Sequence, residues 1–216
     1  MGEDGVILLF DLDGTLIDST EAILESFHHA FDAYQTPRRE DKEIEALIGY
    51  PLDIMFSRLG IEESKVWEYV ATYKAHYQKI SRDKTILLPF AKEAIERASK
   101  IATLGVVTTK TAQYSRVLLE YFGVMHHFDV LIGREDVEHP KPHKEPIEKA
   151  LLSLHSDDDV WMIGDTKLDL LSAADAGVNA IGVCSGYDSC EVLSSYTEHI
   201  FSDALEAVIW LESRLI

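Results

Sequence analysis

The chain is expected to adopt an α/β fold, a doubly wound parallel sheet core with an inserted α-helical cap. Three observations point there. Five apolar runs of strand length recur along the 216 residues, and near-continuous rather than alternating apolar strands belong to sheets buried on both faces. Each run is followed by a polar cluster and then a segment of helical period, the alternation of a parallel doubly wound sheet. One stretch, residues 19–88, departs from this alternation and shows helical patterns only.

Taken in order, Val6–Phe10 is the first strand candidate. Ser19 or Thr20 can then cap a helix whose apolar face carries Ile23, Phe27, Ala30 and Phe31. Pro51 suits the start of a second helix, with Ile54, Met55 and Leu59 before Gly60. Val66, Val70, Tyr73, Tyr77 and Ile80 mark a third, whose aromatic stripe reads as core. Strands resume at Leu104–Val107 and Phe128–Ile132, with Val117, Leu118 and Tyr121 on a helix between them that ends before Gly123. Ile147, Ala150, Leu151 and Leu154 form the next helical face after Pro146. A strand at Val160–Ile163, a helix with Leu168, Leu171 and Ala174 ending at Gly177, and a strand at Ala180–Val183 follow. The expected division is residues 1–18 with 89–216 as α/β core and 19–88 as cap over the carboxyl end of the sheet.

Hydrophobic residues make up 46% and charged residues 27%, usage that can build an ordinary globular core. Acids outnumber bases 38 to 20, a formal charge of -18. Such a surface repels the nucleic-acid backbone and anionic membranes, so neither is an expected partner. The Val6–Phe10 run is too short to span a bilayer and lacks the flanks of a signal peptide. Val6 stands where a myristoylation signal after Met1-Gly2 would carry Ser or Thr. Cys184 and Cys190 have neither zinc-site spacing nor the look of a disulfide framework, and inert thiols in a cytoplasmic protein are expected.

The polar clusters at the strand exits carry the chemistry. Asp11-Leu12-Asp13-Gly14-Thr15 follows the first strand, with two carboxylates at i and i+2 that point to the same side. Gly14 permits a sharp turn and Thr15 adds a hydroxyl. Alone, this is also a common acidic turn feeding a helix N-terminus. Thr108-Thr109-Lys110 leaves the next strand, and Lys141 sits between Pro140 and Pro142, stiff on both sides. Asp165 lies at a later strand exit and Asp169 one helical turn on, so both can face one point. Together they place Asp11, Asp13 and Asp165 for a hard cation such as Mg²⁺, and a lysine with hydroxyls for phosphoryl oxygens. A bound cation plus Lys141 turns converging carboxylates into a phosphate site, which the charge of -18 otherwise opposes.

In order and spacing these motifs resemble those of the haloacid dehalogenase superfamily, most closely its phosphoglycolate phosphatase-like branch, with a Rossmann-like core and a helical cap after the first motif. The resemblance implies that Asp11 is the nucleophile forming an aspartyl-phosphate, and that Asp13 acts as general acid then base. It implies that Thr108 and Lys141 hold phosphoryl oxygens, with Thr15 and Thr109 as further substrate contacts. Asp165 would bind Mg²⁺ with the Asp11 carboxylate and the Asp13 main-chain carbonyl, and Asp169 would orient Lys141 or a metal-bound water. The implied activity is hydrolysis of a small phosphorylated metabolite, phosphoglycolate-like or a sugar phosphate.

Inorganic pyrophosphatase activity is the alternative within the same branch, because the cap reads the leaving group. Tyr50 and Arg58 are candidates for the cap face. No Lys or Arg occurs in Ile44–Leu52, where mutase relatives carry a basic loop, so mutase activity is not expected. A phosphorylation-switched signalling module also gathers carboxylates, Thr and Lys around Mg²⁺, but lacks the helical insertion and the late Asp165–Asp169 pair. His139 and His143 have the spacing of a His-x3-His metal pair, but the intervening Pro140 and Pro142 spoil helical geometry and they read as loop residues.

Overall fold

The computed structural model describes residues 5–154 and 159–214; Met1-Gly2, read above for a lipidation signal, lies outside them. β1 (Val6–Phe10) is followed by β2 (Ile17–Asp18), then by α1 (Thr20–Ala33), α2 (Asp41–Glu45), α3 (Leu52–Arg58) and α4 (Val66–Ile80). The chain returns through β3 (Ile86–Leu87), α5 (Ala91–Ala98), β4 (Thr103–Val107), α6 (Ala112–Tyr121) and β5 (Val130–Ile132). It ends with α7 (Glu145–Leu154), β6 (Asp159–Gly164), α8 (Lys167–Ala176), β7 (Asn179–Val183), α9 (Cys190–Leu193), β8 (Ile200–Phe201) and α10 (Ala204–Glu212).

Among the described residues the main sheet has six strands in the order β5-β4-β1-β6-β7-β8, and every pair is parallel. Among these strands the order reads third, second, first, fourth, fifth, sixth, the doubly wound arrangement with its switch point between β1 and β6. All of β1 is buried. Leu8 and Phe10 enter one hydrophobic cluster while Ile7 and Leu9 enter another, so alternate residues feed the cores on opposite faces. That is why the strand is apolar throughout instead of alternating. Register puts Phe10 beside Ile163 and Val106, so the residues that follow β1, β4 and β6 emerge at one edge.

Helices α1 to α4 lie between the strands of a small antiparallel ladder, β2 with β3. They bury their own core, in which Phe27 meets Phe56 at 4.5 Å and Tyr73 at 5.0 Å between ring centroids. The expectation of an all-helical stretch through residue 88 misses β3, only two residues long. β8 was likewise invisible as an apolar run.

Two helical faces differ from the expected stripes. In α8 the buried residues are Leu168, Asp169, Leu170, Ser172 and Ala173, whereas Leu171 is exposed. The inward face carries an aspartate and a serine, so apolar periodicity chooses the wrong phase. In α6 Ser115, Leu118 and Leu119 are buried and Tyr121 is exposed. Cys184 and Cys190 are joined by a disulfide, which corrects the expectation of inert thiols; the turns and bends of residues 184–188 bring the two together. Among the described residues no helix is long and apolar enough to cross a membrane.

Candidate active site

Asp11 leaves β1 at the switch point, its amide donating to the Ile163 carbonyl at 2.9 Å. Its carboxylate is buried and accepts a hydrogen bond from Lys141 Nζ at 2.8 Å. The same ammonium donates to the Val107 carbonyl at 3.0 Å and to Asp169 Oδ1 at 2.5 Å. Three acceptors use all three ammonium protons, so the lysine is fixed. The Lys141-Pro142 peptide is cis. Asp165, fully buried after β6, accepts from Thr15 Oγ1 and from the Tyr187 amide, both at 2.9 Å. Asp169 caps its own helix, Oδ2 accepting from the Thr166 amide at 3.0 Å and hydroxyl at 2.7 Å.

Backbone approaches these acids closely. Gly14 adopts φ +85°, a left-handed conformation glycine tolerates, and a Cβ there would stand 2.2 Å from Asp165 Oδ2. A Cβ on Gly186 would stand 1.9 Å from the same oxygen. Only glycine fits at either place without moving Asp165.

Ligand oxygens of Asp11, Asp165 and Asp169 lie within 4.8 Å of one another. Burial pushes the Asp11 carboxyl up to about 7; Lys141 draws it down, and Asp169 and Asp13 add repulsion. Burial, then repulsion from Asp11 and Asp169, drives Asp165 well above the usual carboxylate range. For Lys141 burial acts downward, but Asp11 and Asp169 reverse it and hold the ammonium charged. One lysine thus leaves negative charge uncompensated, and a divalent cation with a taste for oxygen ligands fits the set. Among the described residues Asp169 accepts three hydrogen bonds, Asp165 two and Asp11 one, so Asp11 and Asp165 are the freer donors.

Asp13 stands apart from that cluster. Its carboxylate accepts a hydrogen bond from Ser19 Oγ and pairs with Lys110 Nζ at 2.9 Å. Lys110 also lies over the Tyr77 ring, 4.6 Å from its centroid. Lys110 was read only as part of a threonine-lysine run; its position directly after Thr108 and Thr109 was the available signal. Thr108 is buried beside the site, its Oγ1 accepting from the Lys110 amide at 3.1 Å. The two other threonines are committed elsewhere: Thr15 to Asp165, and Thr109, whose hydroxyl donates to the Gly49 carbonyl at 2.9 Å. That last bond ties the sheet edge to the helical insert.

Asp13, Thr109 and Lys110 open onto a cavity of about 220 Å³ beneath the insert. Tyr50 lines it, with the Arg58 guanidinium 3.9 Å from its ring centroid. His139 and His143 do lie in a loop, but their rings approach to 4.8 Å and, with Glu145, group three potential ligands at the surface.

Fold and site together define a hydrolase of the superfamily the motifs resemble. The family model for haloacid dehalogenase-like hydrolases matches residues 8–183, and the chain belongs to that family. It is 38% identical over 176 residues to pyrophosphatase PpaX of Halalkalibacterium halodurans, covering 79% of this chain and 80% of that one. It is 32% identical over 217 residues to the "Probable phosphatase IndB" of Dickeya dadantii, covering 97% and 94%. A haloacid dehalogenase-like family hydrolase of Streptococcus pneumoniae superposes with a TM-score of 0.86 at 26% identity, over 97% of this chain and 100% of its own.

Proposed function

We propose that this chain is a Mg²⁺-dependent phosphatase that hydrolyses a small phosphorylated metabolite through an aspartyl-phosphate on Asp11. The observation that carries the reading is the buried Asp11 carboxylate, held by Lys141 at 2.8 Å within reach of Asp165, at the sheet's switch point. An Asp11 oxygen attacks phosphorus, and the bond to the leaving oxygen breaks as Asp13 supplies its proton. Asp13 then takes a proton from the water that attacks phosphorus, which releases phosphate and restores Asp11. Thr108 contacts phosphoryl oxygens, and Lys141 offsets their charge, the hydrogen bond it gives Asp11 Oδ1 turning to them as that carboxylate attacks. Asp169 and Thr15 act as positioning residues for Lys141 and Asp165. Asp11, Asp165 and the Asp13 carbonyl would hold Mg²⁺, which would supply the remaining positive charge for phosphoryl transfer. Residues 19–88 serve as the cap and 1–18 with 89–216 as the catalytic core. We place the enzyme in the cytoplasm, a reading supported by its acidic globular composition.

A second reading, inorganic pyrophosphatase, is favoured by the name of the PpaX relative. The test is phosphate release from phosphoglycolate, pyrophosphate, sugar phosphates and nucleotides, with Mg²⁺ or EDTA, for the wild type and Asp11→Asn. Mg²⁺-dependent release lost in the variant is the expected result. Release that survives Asp11→Asn contradicts the covalent route.

A further inference from the structure

In the proposed reaction the leaving oxygen meets Asp13, and of the two acids in that motif only Asp13 lines the cavity beneath the insert. Whatever the oxygen carries must therefore enter this space. Trp67, Val70, Lys74 and Tyr77 recur at three- or four-residue intervals along α4 and present one face to it. Ile48 and Met55, both buried, close the wall beside them. Trp67 is 64% exposed yet lines the cavity: a large apolar surface left at the mouth of a concave site.

Charge in the lining is balanced. Lys74, Lys110 and Arg134 face Asp13, Asp53 and Glu135, and Lys110 is already paired with Asp13. A second phosphoryl group would bring about two negative charges into this wall with no cationic excess to receive them. The Tyr77 hydroxyl, buried without a hydrogen-bond partner among the described residues, offers one neutral polar contact instead. About 220 Å³ is below the roughly 300–1,000 Å³ of pockets for drug-sized ligands, so one ring fits and a nucleotide does not.

We propose that the substrate is a phosphate monoester of an uncharged alcohol bearing a single aromatic or similarly apolar ring, seated against Trp67, Val70 and Ile48. The proposal rests on the phosphatase reading above and deepens it. Benzyl phosphate, ethyl phosphate, phosphoglycolate and pyrophosphate, each with Mg²⁺, form the test set. Benzyl phosphate is expected to exceed the other three in kcat/KM by roughly tenfold or more. Calorimetry with benzylphosphonate and methylphosphonate should show the same preference without turnover. Trp67→Ser, at a position already in solvent, is expected to lower the benzyl-to-ethyl ratio several-fold. An unmoved ratio would overturn the proposed seat, as would equal rates for benzyl and ethyl phosphate. Pyrophosphate or phosphoglycolate as best substrate would overturn the ring while leaving a phosphatase standing. No Mg²⁺-dependent release from any of the four removes the phosphatase reading and this proposal with it.

Discussion

Lys141 holds together two carboxylates that would otherwise repel each other, its three ammonium protons going to Asp11, Asp169 and the Val107 carbonyl. Removing one partner of a buried ion pair costs about 3–5 kcal/mol, because the remaining charge stays buried and unpaired. Lys141→Ala is therefore expected to lower stability by an amount of that order in EDTA, measured by denaturant unfolding, and to abolish turnover. Mg²⁺ should restore part of the stability and none of the activity. Lys110 acts on the other acid. Taking its ammonium from Asp13 should lower kcat by roughly 10²-fold, the smaller end of what proton transfer by a positioned group contributes. That loss should be larger for substrates whose leaving alcohol is a poor leaving group. A uniform loss across leaving groups in Lys110→Met would argue against a role through Asp13.

Among the elements, the loop after β7 shapes the site without carrying a charged group of the metal cluster. Gly186 and the Tyr187 amide pack against Asp165, and the Cys184–Cys190 disulfide closes the same loop. Gly186→Ala forces Asp165 to move, and groups that orient a metal ligand are typically worth 10–100-fold in affinity. The Mg²⁺ concentration giving half-maximal activity should rise by about that factor, with saturating Mg²⁺ recovering most of the rate. Nothing in the sequence marked this loop, because glycine and a backbone amide leave no chemical signature. What did show in the sequence were features with strong local causes. β1 is apolar because both faces are buried, and Asp11, Asp13, Asp165 and Asp169 stand out as acids at strand exits. Elements that depend on tertiary pairing stayed hidden: the two-residue β2–β3 ladder, β8, and the inward face of α8 that carries Asp169 and Ser172. Thr15 and Thr109 were read as substrate contacts, whereas the packing commits their hydroxyls to Asp165 and to the Gly49 carbonyl.

For the whole molecule, the question is how a chain of formal charge -18 keeps buried acids in one site. Without a cation, Asp11 rises from 3.8 to about 7 and Asp165 moves the same way. The folded state then binds protons that the unfolded chain has released, so stability falls as pH rises from about 4 through about 7. In EDTA the thermal midpoint is expected to drop between pH 5 and pH 8, while Mg²⁺ flattens that decline and widens the gap between the two curves. A midpoint that climbs with pH in EDTA would show that the acids are better compensated than the geometry indicates. The central claim, a phosphoryl group carried on Asp11, is tested most directly by acid-quenching the enzyme during turnover of its best substrate with Mg²⁺. Peptide mass spectrometry then locates any protein-bound phosphoryl group. One phosphoryl group on the peptide containing Asp11, absent in EDTA and in Asp11→Asn, is the predicted result. Steady turnover with no protein-bound phosphoryl group, or with the group on another residue, would contradict the account.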